Sequence, residues 1–241
     1  MAKKNVFEQS LWLKKKIFQT VGSITRARFL STNHIHISGS EVLLDLPDKG
    51  VLFVSNHQTI FTDVVAMYHT IFATQTGQLN SIEKNNYLGN PKLNLYYVAA
   101  RETMEKGMLP RILALAGAVS VDRTWRQGDQ MIKREVNPND TKSIGIAVND
   151  GWLITFPQGT TREGAPVRKG TAHIIKQYRP IVVPVRVDGF REAFNKTGLK
   201  LKQKGTDLYV KYGQPLAIDY ENDTVEQIVV KIAEAIGESA D

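Results

Sequence analysis

The fold is decided by the stretch Gly50-Val-Leu-Phe-Val-Ser-Asn-His57, in which a short apolar strand runs directly into polar residues. The stretch Trp152-Leu-Ile-Thr-Phe-Pro-Gln-Gly159 repeats this arrangement later in the chain. In open α/β sheets, ligands bind beyond the carboxyl ends of the strands. We therefore expect the two polar exits to meet in one crevice.

Further strands and helices alternate along the chain. Pro184 interrupts the apolar run at 181–187, which favours an edge strand or a bulge there. The last helix is predicted to begin at a capping box formed by Thr224 and Gln227. Strands separated by helices indicate an α/β domain whose mixed, largely parallel central sheet is flanked by helices. The other predicted strands span 34–39, 95–100, 117–123 and 208–212, and the predicted helices span 108–116, 141–149, 171–177 and 225–236.

Length and composition predict a single core. The 241 residues, 42% of them hydrophobic, can bury one substantial core and do not require a second one. We interpret residues 33–241 as one domain and residues 1–32 as an N-terminal appendage. The chain contains no cysteine, which excludes disulfides, thiolate metal sites and a cysteine nucleophile.

The N-terminal segment accounts for most of the net positive charge of the chain. Residues 1–28 hold seven basic residues and one acidic residue, while the formal net charge of the whole chain is +7. On a helical wheel the apolar residues of this segment gather on one face, formed by Val6, Leu13, Ile17, Val21 and Ile24. This pattern is typical of a helix that inserts its apolar side into a membrane surface while its cations meet anionic headgroups. It is equally compatible with a helix that packs on the protein's own core and exposes a basic face.

The sequence predicts contact with a membrane surface without a membrane-spanning helix. No apolar run approaches the roughly 18 to 20 residues that a spanning helix needs, and the N-terminus lacks the continuous apolar stretch of a signal peptide. We expect an intracellular protein. Basic proteins also bind nucleic acid, but we expect no nucleic-acid partner, because the basic residues lie in an amphipathic terminus and no nucleic-acid motif is present.

A histidine and an acid follow the first of the two opening strands. His57 and Asp63 are separated by five residues, Gln58 to Thr62. An imidazole can take a proton from a hydroxyl at neutral pH, and a nearby carboxylate fixes its tautomer and stabilises the imidazolium that forms. Such a pair suits attack by an alcohol on an ester or thioester. Many core histidines have similar neighbours, so the pair alone does not establish catalysis.

Glycine and arginine residues follow two other predicted strands. Beyond the second opening strand, Gly159 permits close backbone approach, and the planar fork of Arg162 suits a phosphate. Arg123 ends another apolar stretch. Each arginine has an alternative role in an ion pair with an acid, for example Arg162 with Glu163.

Two histidines, His34 and His36, fall on one face of the first predicted strand. A metal site is conceivable there, but no third ligand stands nearby in the sequence. We therefore interpret the two residues as a structural or exposed pair and predict no metal site.

Four blocks of this sequence resemble, in order and spacing, the blocks of the glycerolipid acyltransferases, the lysophosphatidic acid acyltransferase family. The blocks span 56–63, 117–123, 156–162 and 181–185. Four blocks in the right order are far more specific than any one of them. The resemblance implies a mixed α/β acyltransferase domain over 33–241 and a membrane-associating helical segment over 1–32. It also implies acyl-CoA or acyl-carrier protein as the acyl donor, with neither a metal nor a cofactor.

The resemblance implies a role for each matching residue. His57 would be the general base that deprotonates the acceptor hydroxyl, and Asp63 would be its orienting partner. Arg123 would hold the acceptor phosphate, and Pro184 would help to shape the acyl site. The other implied substrate-binding residues are Asn56, Gly159, Thr160 and Arg162.

The implied activity is transfer of a fatty acyl group to the free hydroxyl of a lysophospholipid. The first expected acceptor is 1-acylglycerol-3-phosphate, which yields phosphatidic acid. The implied location is the cytoplasmic face of the inner membrane, where anionic lipids are the expected partners of the basic N-terminal segment.

Two blocks depart from the family pattern. The family has four residues between its histidine and its acid, which puts Thr62 at the expected position of the acid. We expect a bulged or looped segment that lets Asp63 still reach His57, because a hydroxyl stabilises an imidazolium poorly. In the third block Gln158 replaces a glutamate, and Thr161 is inserted before the arginine. These changes predict a divergent subgroup, with another lysolipid, such as a lyso amino-acid lipid, as the alternative acceptor.

Two other functions remain open at the level of sequence. A membrane-bound pseudoenzyme is compatible with the altered spacing, although the intact His57 favours activity. A hydrolase that uses the same histidine and acid with water is disfavoured, because the sequence has no Gly-x-Ser-x-Gly elbow to supply a serine nucleophile.

Overall fold

The computed structural model describes residues 3–122, 126–127, 130–131 and 137–240. The strands are β1 (His34–Ser38), β2 (Val51–Ser55), β3 (Leu95–Ala100), β4 (Ala118–Val121), β5 (Arg126–Gln127), β6 (Gln130–Met131), β7 (Trp152–Thr155), β8 (Ile181–Asp188) and β9 (Asp207–Tyr212). The α-helices are α1 (Leu11–Ala27), α2 (Thr62–Gln75), α3 (Arg101–Met104), α4 (Met108–Ala114), α5 (Pro138–Asp150), α6 (Lys169–Tyr178), α7 (Phe190–Ala193) and α8 (Val225–Ile236). Short π-helical and 3₁₀ segments lie at Arg28–Thr32, Ser40–Leu44 and Asn86–Gly89.

Seven of these strands form the central sheet, in the order β1-β9-β8-β2-β7-β3-β4. Neighbouring strands are parallel except for β8 and β9, which are antiparallel. Strands β5 and β6 pair separately. The sheet confirms the predicted α/β class with a mixed, largely parallel sheet.

Strands β2 and β7, which precede the two polar exits, lie side by side. Every residue of β2 and of β7 is buried, as expected of parallel strands covered on both faces. Their register pairs Val51 with Trp152 and Val54 with Thr155, so the two strands end at the same edge of the sheet. The predicted convergence of the two polar exits is therefore confirmed.

Helix α1 packs on the core through a face that differs from the predicted one. Its buried residues are Lys14, Ile17, Phe18 and Gly22. Leu13 and Ile24, which the helical wheel placed with Ile17, are exposed, and Trp12 is 65% exposed. The helix is thus rotated so that part of the predicted apolar face packs inward and part faces outward.

Close contacts hold α1 against α2 and the segment that follows it. The ring of Phe18 lies edge-on to Tyr68 and Phe72. A Cβ on Gly22 would lie 2.7 Å from a methyl group of Leu88, so only glycine fits there without a shift of the leucine. These contacts make α1 part of the core that supports α2.

Two predictions about local structure have opposite outcomes. The capping box at the start of α8 is confirmed, because Thr224 and Gln227 each accept the other's backbone N–H. The edge-strand interpretation of Pro184 is wrong, because β8 lies inside the sheet between β9 and β2. Pro184 is tolerated one residue before the ladder with β9 begins at Val185. At this position its carbonyl accepts the N–H of Gly213 at 2.9 Å.

Within the described ranges, no helix combines the length and hydropathy that crossing a bilayer requires.

Candidate active site

Asn56 fixes the backbone at the exit of β2. Its side-chain nitrogen donates to the carbonyl of Val187 at 2.9 Å, and its side-chain oxygen accepts the N–H of Val187 at 2.8 Å. The amide therefore continues the ladder between β2 and β8 for one more step. Both ends of this buried amide are bonded to the backbone of Val187, which fixes the chain next to His57, and the role of Asn56 in substrate binding stays a prediction.

His57 and Asp63 form a hydrogen-bonded pair. Nδ1 of His57 lies 3.0 Å from Oδ2 of Asp63. Residues 58–61 form a turn, and α2 begins only at Thr62. The turn absorbs the extra residue of the first block, so that Asp63 in the first turn of the helix points back to the histidine.

The carboxylate of Asp63 is buried and surrounded by donors. It accepts the backbone N–H of Gln58 at 2.6 Å and that of Thr59 at 3.0 Å, as well as the Thr59 hydroxyl at 2.6 Å. Its place in the first helical turn adds the favourable field of the helix N-terminus. An acceptor-only carboxylate requires Nδ1 of His57 to carry a proton, which leaves Nε2 free to accept one.

Thr62, the other candidate partner, points elsewhere. Its hydroxyl donates to the carbonyl of Gly198 at 2.6 Å and is buried. The structure thus brings Asp63, and not Thr62, against His57.

The third block contacts His57 through an aromatic ring that the sequence argument missed. Phe156 stacks on the imidazole with ring centroids 3.8 Å apart and planes 17° apart. The imidazole is 12% exposed, so it keeps some access to solvent while its plane is fixed. The sequence could have indicated this contact, because Phe156 directly follows β7, which was expected to end next to the exit of β2.

Gln158 joins the first and third blocks. Its side-chain oxygen accepts the backbone N–H of His57 at 3.1 Å, and its side-chain nitrogen donates to the carbonyl of Ala165 at 2.7 Å. The side chain is almost completely buried. Glutamate, the usual residue of the family block, cannot make the second of these bonds as a carboxylate, because it has no donor.

The remaining predicted residues of the third block form a turn beyond Gln158. Gly159 has φ 64° and donates its N–H to Phe156 at 2.9 Å, a conformation that favours glycine. The Thr160 hydroxyl accepts the N–H of Arg162 at 3.3 Å. The side chain of Arg162 is exposed and has no hydrogen bond or ion pair within the part of the chain that the structure describes.

The ion pair between Arg162 and Glu163, the alternative role that the sequence left open for Arg162, is not formed. Glu163 lies 3.2 Å from a guanidinium nitrogen of Arg191, whose other terminal nitrogen donates to the carbonyl of Thr161 at 3.0 Å. Arg191 also donates its backbone N–H to the side chain of Gln58. Arg191 therefore ties the turn of the third block to the turn between the histidine and the acid, a role for which the sequence offered no motif.

The structure does not test the roles predicted for two further residues, Arg123 and Pro184. Arg123 lies outside the described residues. Pro184 is buried in the sheet, in register with Val54, and packs near Gly213. The proposed role of Pro184 in shaping an acyl site stays a prediction.

The histidine pair on β1 is exposed, as predicted. His36 lies 2.8 Å from a carboxylate oxygen of Asp207 and stacks on Tyr209. Among the residues that the structure describes, no three histidine or acidic side chains are grouped closely enough to hold a metal ion.

A family profile described as Acyltransferase matches residues 34–188, which is more than half of the chain. The chain belongs to the acyltransferase family. The resemblance drawn from the four sequence blocks is thereby confirmed for the family. A comparison with curated proteins gave no match.

The fold of this acyltransferase is similar to a solved structure of the 1-acyl-sn-glycerophosphate (LPA) acyltransferase PlsC from Thermotoga maritima. The match has a TM-score of 0.59 and 16% identity, and covers 92% of this chain and 78% of the other. At this identity the match shows a shared fold. The His57–Asp63 pair, Phe156 and Gln158 all lie inside the matched acyltransferase region, whereas α1 and α8 lie outside it.

Proposed function

We propose that this acyltransferase moves a fatty acyl group from acyl-CoA or acyl-carrier protein to the free hydroxyl of a lysophospholipid, with His57 as the general base. The observation that carries the proposal is the pair of His57 and Asp63, with Nδ1 bonded to the carboxylate and the imidazole still partly exposed. In a member of an acyltransferase family, an open Nε2 is suited to accept a proton from an alcohol.

The proposed step is attack of the acceptor hydroxyl on the thioester, with His57 as general base. Nε2 of His57 takes the hydroxyl proton while the acceptor oxygen attacks the thioester carbonyl. The tetrahedral intermediate then breaks its carbon–sulfur bond, and the imidazolium returns the proton to the departing thiolate. The products are an ester and a free thiol, and Asp63 stabilises the imidazolium between the two transfers.

The acceptor that we propose first is 1-acylglycerol-3-phosphate, which would give phosphatidic acid. Arg162 supports an anionic acceptor, because its exposed guanidinium has no partner within the described part of the chain and can face a phosphate bidentately. Arg123 is proposed as a second phosphate contact. Gly159 and Thr160 are proposed to line the acceptor side through the turn that carries Arg162.

A second acceptor class has its own support. The turns after His57 and after Gln158 are each one residue longer than the family pattern, and Arg191 bonds to both of them. Another lysolipid, such as a lyso amino-acid lipid, is therefore the alternative acceptor, and a membrane-bound pseudoenzyme is the outcome if no acceptor works.

We further propose that residues 1–32 hold the protein on anionic lipid at the cytoplasmic face of the inner membrane. The outer side of α1 exposes Trp12, Leu13 and Lys16, a mixture suited to the membrane interface. Helix α4 exposes a second apolar patch, led by Met108 at 80% exposure. A peripheral position would let a lysolipid reach His57 without leaving the bilayer.

An acyl-transfer assay tests the reaction and its acceptor. Labelled acyl-CoA and acyl-carrier protein are each incubated with the purified protein and a panel of lysolipids in mixed micelles. We expect labelled phosphatidic acid from 1-acylglycerol-3-phosphate. Transfer only to another lysolipid would select the alternative acceptor, and no transfer with either donor would overturn the proposal.

A liposome assay tests the membrane proposal separately. Flotation with vesicles containing anionic lipid at low salt is compared for the wild-type protein and for Trp12→Ser with Lys16→Ser. We expect weaker binding of the double variant, and binding by the wild-type protein that falls as salt rises. Wild-type binding that equals binding to neutral vesicles, or that is unchanged in the variant, would contradict it.

A further inference from the structure

Arg191, in the short helix α7, is held in place by bonds from both its backbone and its side chain. Its N–H donates to the side chain of Gln58 at 3.2 Å, and its carbonyl accepts the Lys202 ammonium at 2.9 Å. One terminal nitrogen of its guanidinium donates to the carbonyl of Thr161 at 3.0 Å. Because Gln58 directly follows His57 in the chain, Arg191 is a fixed cation at the edge of the candidate active site.

The acid that pairs with Arg191 is held much more loosely. The carboxylate of Glu163 lies 3.2 Å from the other terminal nitrogen of the guanidinium, and its side chain is 83% exposed, against 34% for the arginine. A Cβ on Gly164, the next residue, would meet nothing within 4 Å, so the chain beside the acid is not packed against a neighbour. The pair therefore joins a fixed cation to an anion that can withdraw into solvent.

A phosphate would compete well with Glu163 for this guanidinium. An exposed ion pair contributes little to stability, because water and salt screen it. A phosphate monoester carries more charge than a carboxylate, and its oxygens can accept two parallel N–H bonds from one arginine. Arg162, exposed in the same turn as Glu163, adds a second positive charge that would favour such an anion. Exchange of the carboxylate for a phosphate is therefore favourable at Arg191.

We propose that Arg191 binds the phosphate group of a substrate, and that Glu163 occupies the guanidinium until this substrate displaces it. The inference rests on the proposed acyl transfer and adds a binding residue to it. Glu163 would then act as a filter, because a neutral or zwitterionic ligand cannot replace a carboxylate as well as a phosphate monoester can. Two substrates offer this chemistry, the phosphate of the lysolipid acceptor and the ribose phosphate of coenzyme A.

Equilibrium titration tests the displacement and identifies its source. Glycerol 3-phosphate, coenzyme A and dephospho-coenzyme A are each titrated into the wild-type protein, Glu163→Gln, Arg191→Gln and Glu192→Gln, the last being a control at an exposed acid next to Arg191. We expect Glu163→Gln to tighten binding by about two- to fivefold and Arg191→Gln to weaken it by about tenfold or more. Tighter binding of glycerol 3-phosphate identifies the acceptor, whereas tighter binding of coenzyme A but not of its dephospho form identifies the donor.

The direction of the change at Glu163 separates this proposal from a purely structural role. If Arg191 only ties two turns together, Glu163→Gln removes one of its bonds and leaves binding unchanged or weaker. Binding of neither phosphate by Glu163→Gln more tightly than by Glu192→Gln would therefore overturn the inference, even if Arg191→Gln does not fold. The titration needs no turnover, so a wild-type protein that transfers no acyl group contradicts the proposed function while the binding result still decides this inference.

Discussion

Asp63 and Lys14 are both fully buried charged side chains, yet the protein treats them differently. Asp63, at the start of α2, accepts bonds from Gln58, Thr59 and His57. Lys14, on α1, donates to the carbonyl of Leu95 at 2.7 Å, and its nitrogen lies 4.4 Å from the ring centre of Tyr96. The carboxylate has a complete set of donors, whereas the cation has one carbonyl and an aromatic face.

Asp63 is buried with the hydrogen-bond partners that the active site needs. Burial of the Lys14 ammonium group, in contrast, destabilises the folded protein. Burial without a complete set of partners lowers the pKa of Lys14 to about 7, and the charge of Asp150 opposes this only in part. The donors around Asp63 hold its carboxylate in place beside His57. We infer that the polar groups at the exit of β2 are arranged to bond the Asp63 carboxylate. The stability of the packing of α1 on the core, in contrast, should depend on pH.

The largest expected effect comes from removing the charge of Asp63. Asp63→Asn keeps the shape but lets the amide donate toward Nδ1, so that the histidine loses its orienting acceptor. We expect kcat for acyl transfer to fall by roughly 10² to 10⁴. The matched control is Thr62→Val, which removes only the bond to Gly198 and should leave kcat within a few-fold of wild type. The reverse ranking would identify Thr62 as the partner.

The next effect concerns the pH dependence of stability. The unfolded chain binds a proton at Lys14 up to the ordinary lysine pKa of 10.5, whereas the folded protein releases it near 7. The free energy of unfolding should therefore rise with pH between these values, by about 3 to 5 kcal/mol over the full window, and Lys14 should contribute no slope below it. Chemical denaturation at several pH values from about 7 to 9.5 measures the rise.

Two variants sharpen this test. Lys14→Met removes the titrating group and should flatten the dependence in that range. Lys16→Met, on the exposed side of the same helix, should retain it. Equal slopes for the wild-type protein and Lys14→Met would mean that the cation is not held in a desolvated site.

The smallest effect comes from one donor to Asp63. Thr59→Val removes the hydroxyl that lies 2.6 Å from the carboxylate but leaves the backbone donors in place. We expect a loss of about 1 to 2 kcal/mol in stability and a few-fold to tenfold lower kcat. Thr59→Ser keeps the hydroxyl and should stay close to wild type in kcat. If Ser and Val behave alike in kcat, the hydroxyl does not support the carboxylate.

The parts of the fold set by local patterns were predictable from the sequence. The apolar runs of β2 and β7 are typical of buried parallel strands, and Thr224 and Gln227, three positions apart, form a capping box. The meeting of His57 with the third block also followed from sequence, because parallel strands end at the same edge. In these cases each signal lies within a few residues or in the topology of the sheet.

The remaining features depend on contacts between distant segments. A helical wheel does not show that α1 turns Lys14 inward, because that orientation depends on the carbonyl of Leu95 and the space left by Gly117. The bonds of Arg191 to Glu163 and to the carbonyl of Thr161 depend on how the segment after β8 meets the third block. No spacing in the sequence encodes either contact.

The central claim is that His57 is the general base of acyl transfer, and one measurement tests it most directly. Single-turnover transfer of a labelled acyl group to the best lysolipid acceptor is compared for wild type, His57→Ala and His173→Ala, an exposed histidine on α6. We predict that His57→Ala loses transfer by about 10³-fold or more, while His173→Ala is unchanged. Transfer by a folded His57→Ala protein at the wild-type rate would contradict the account.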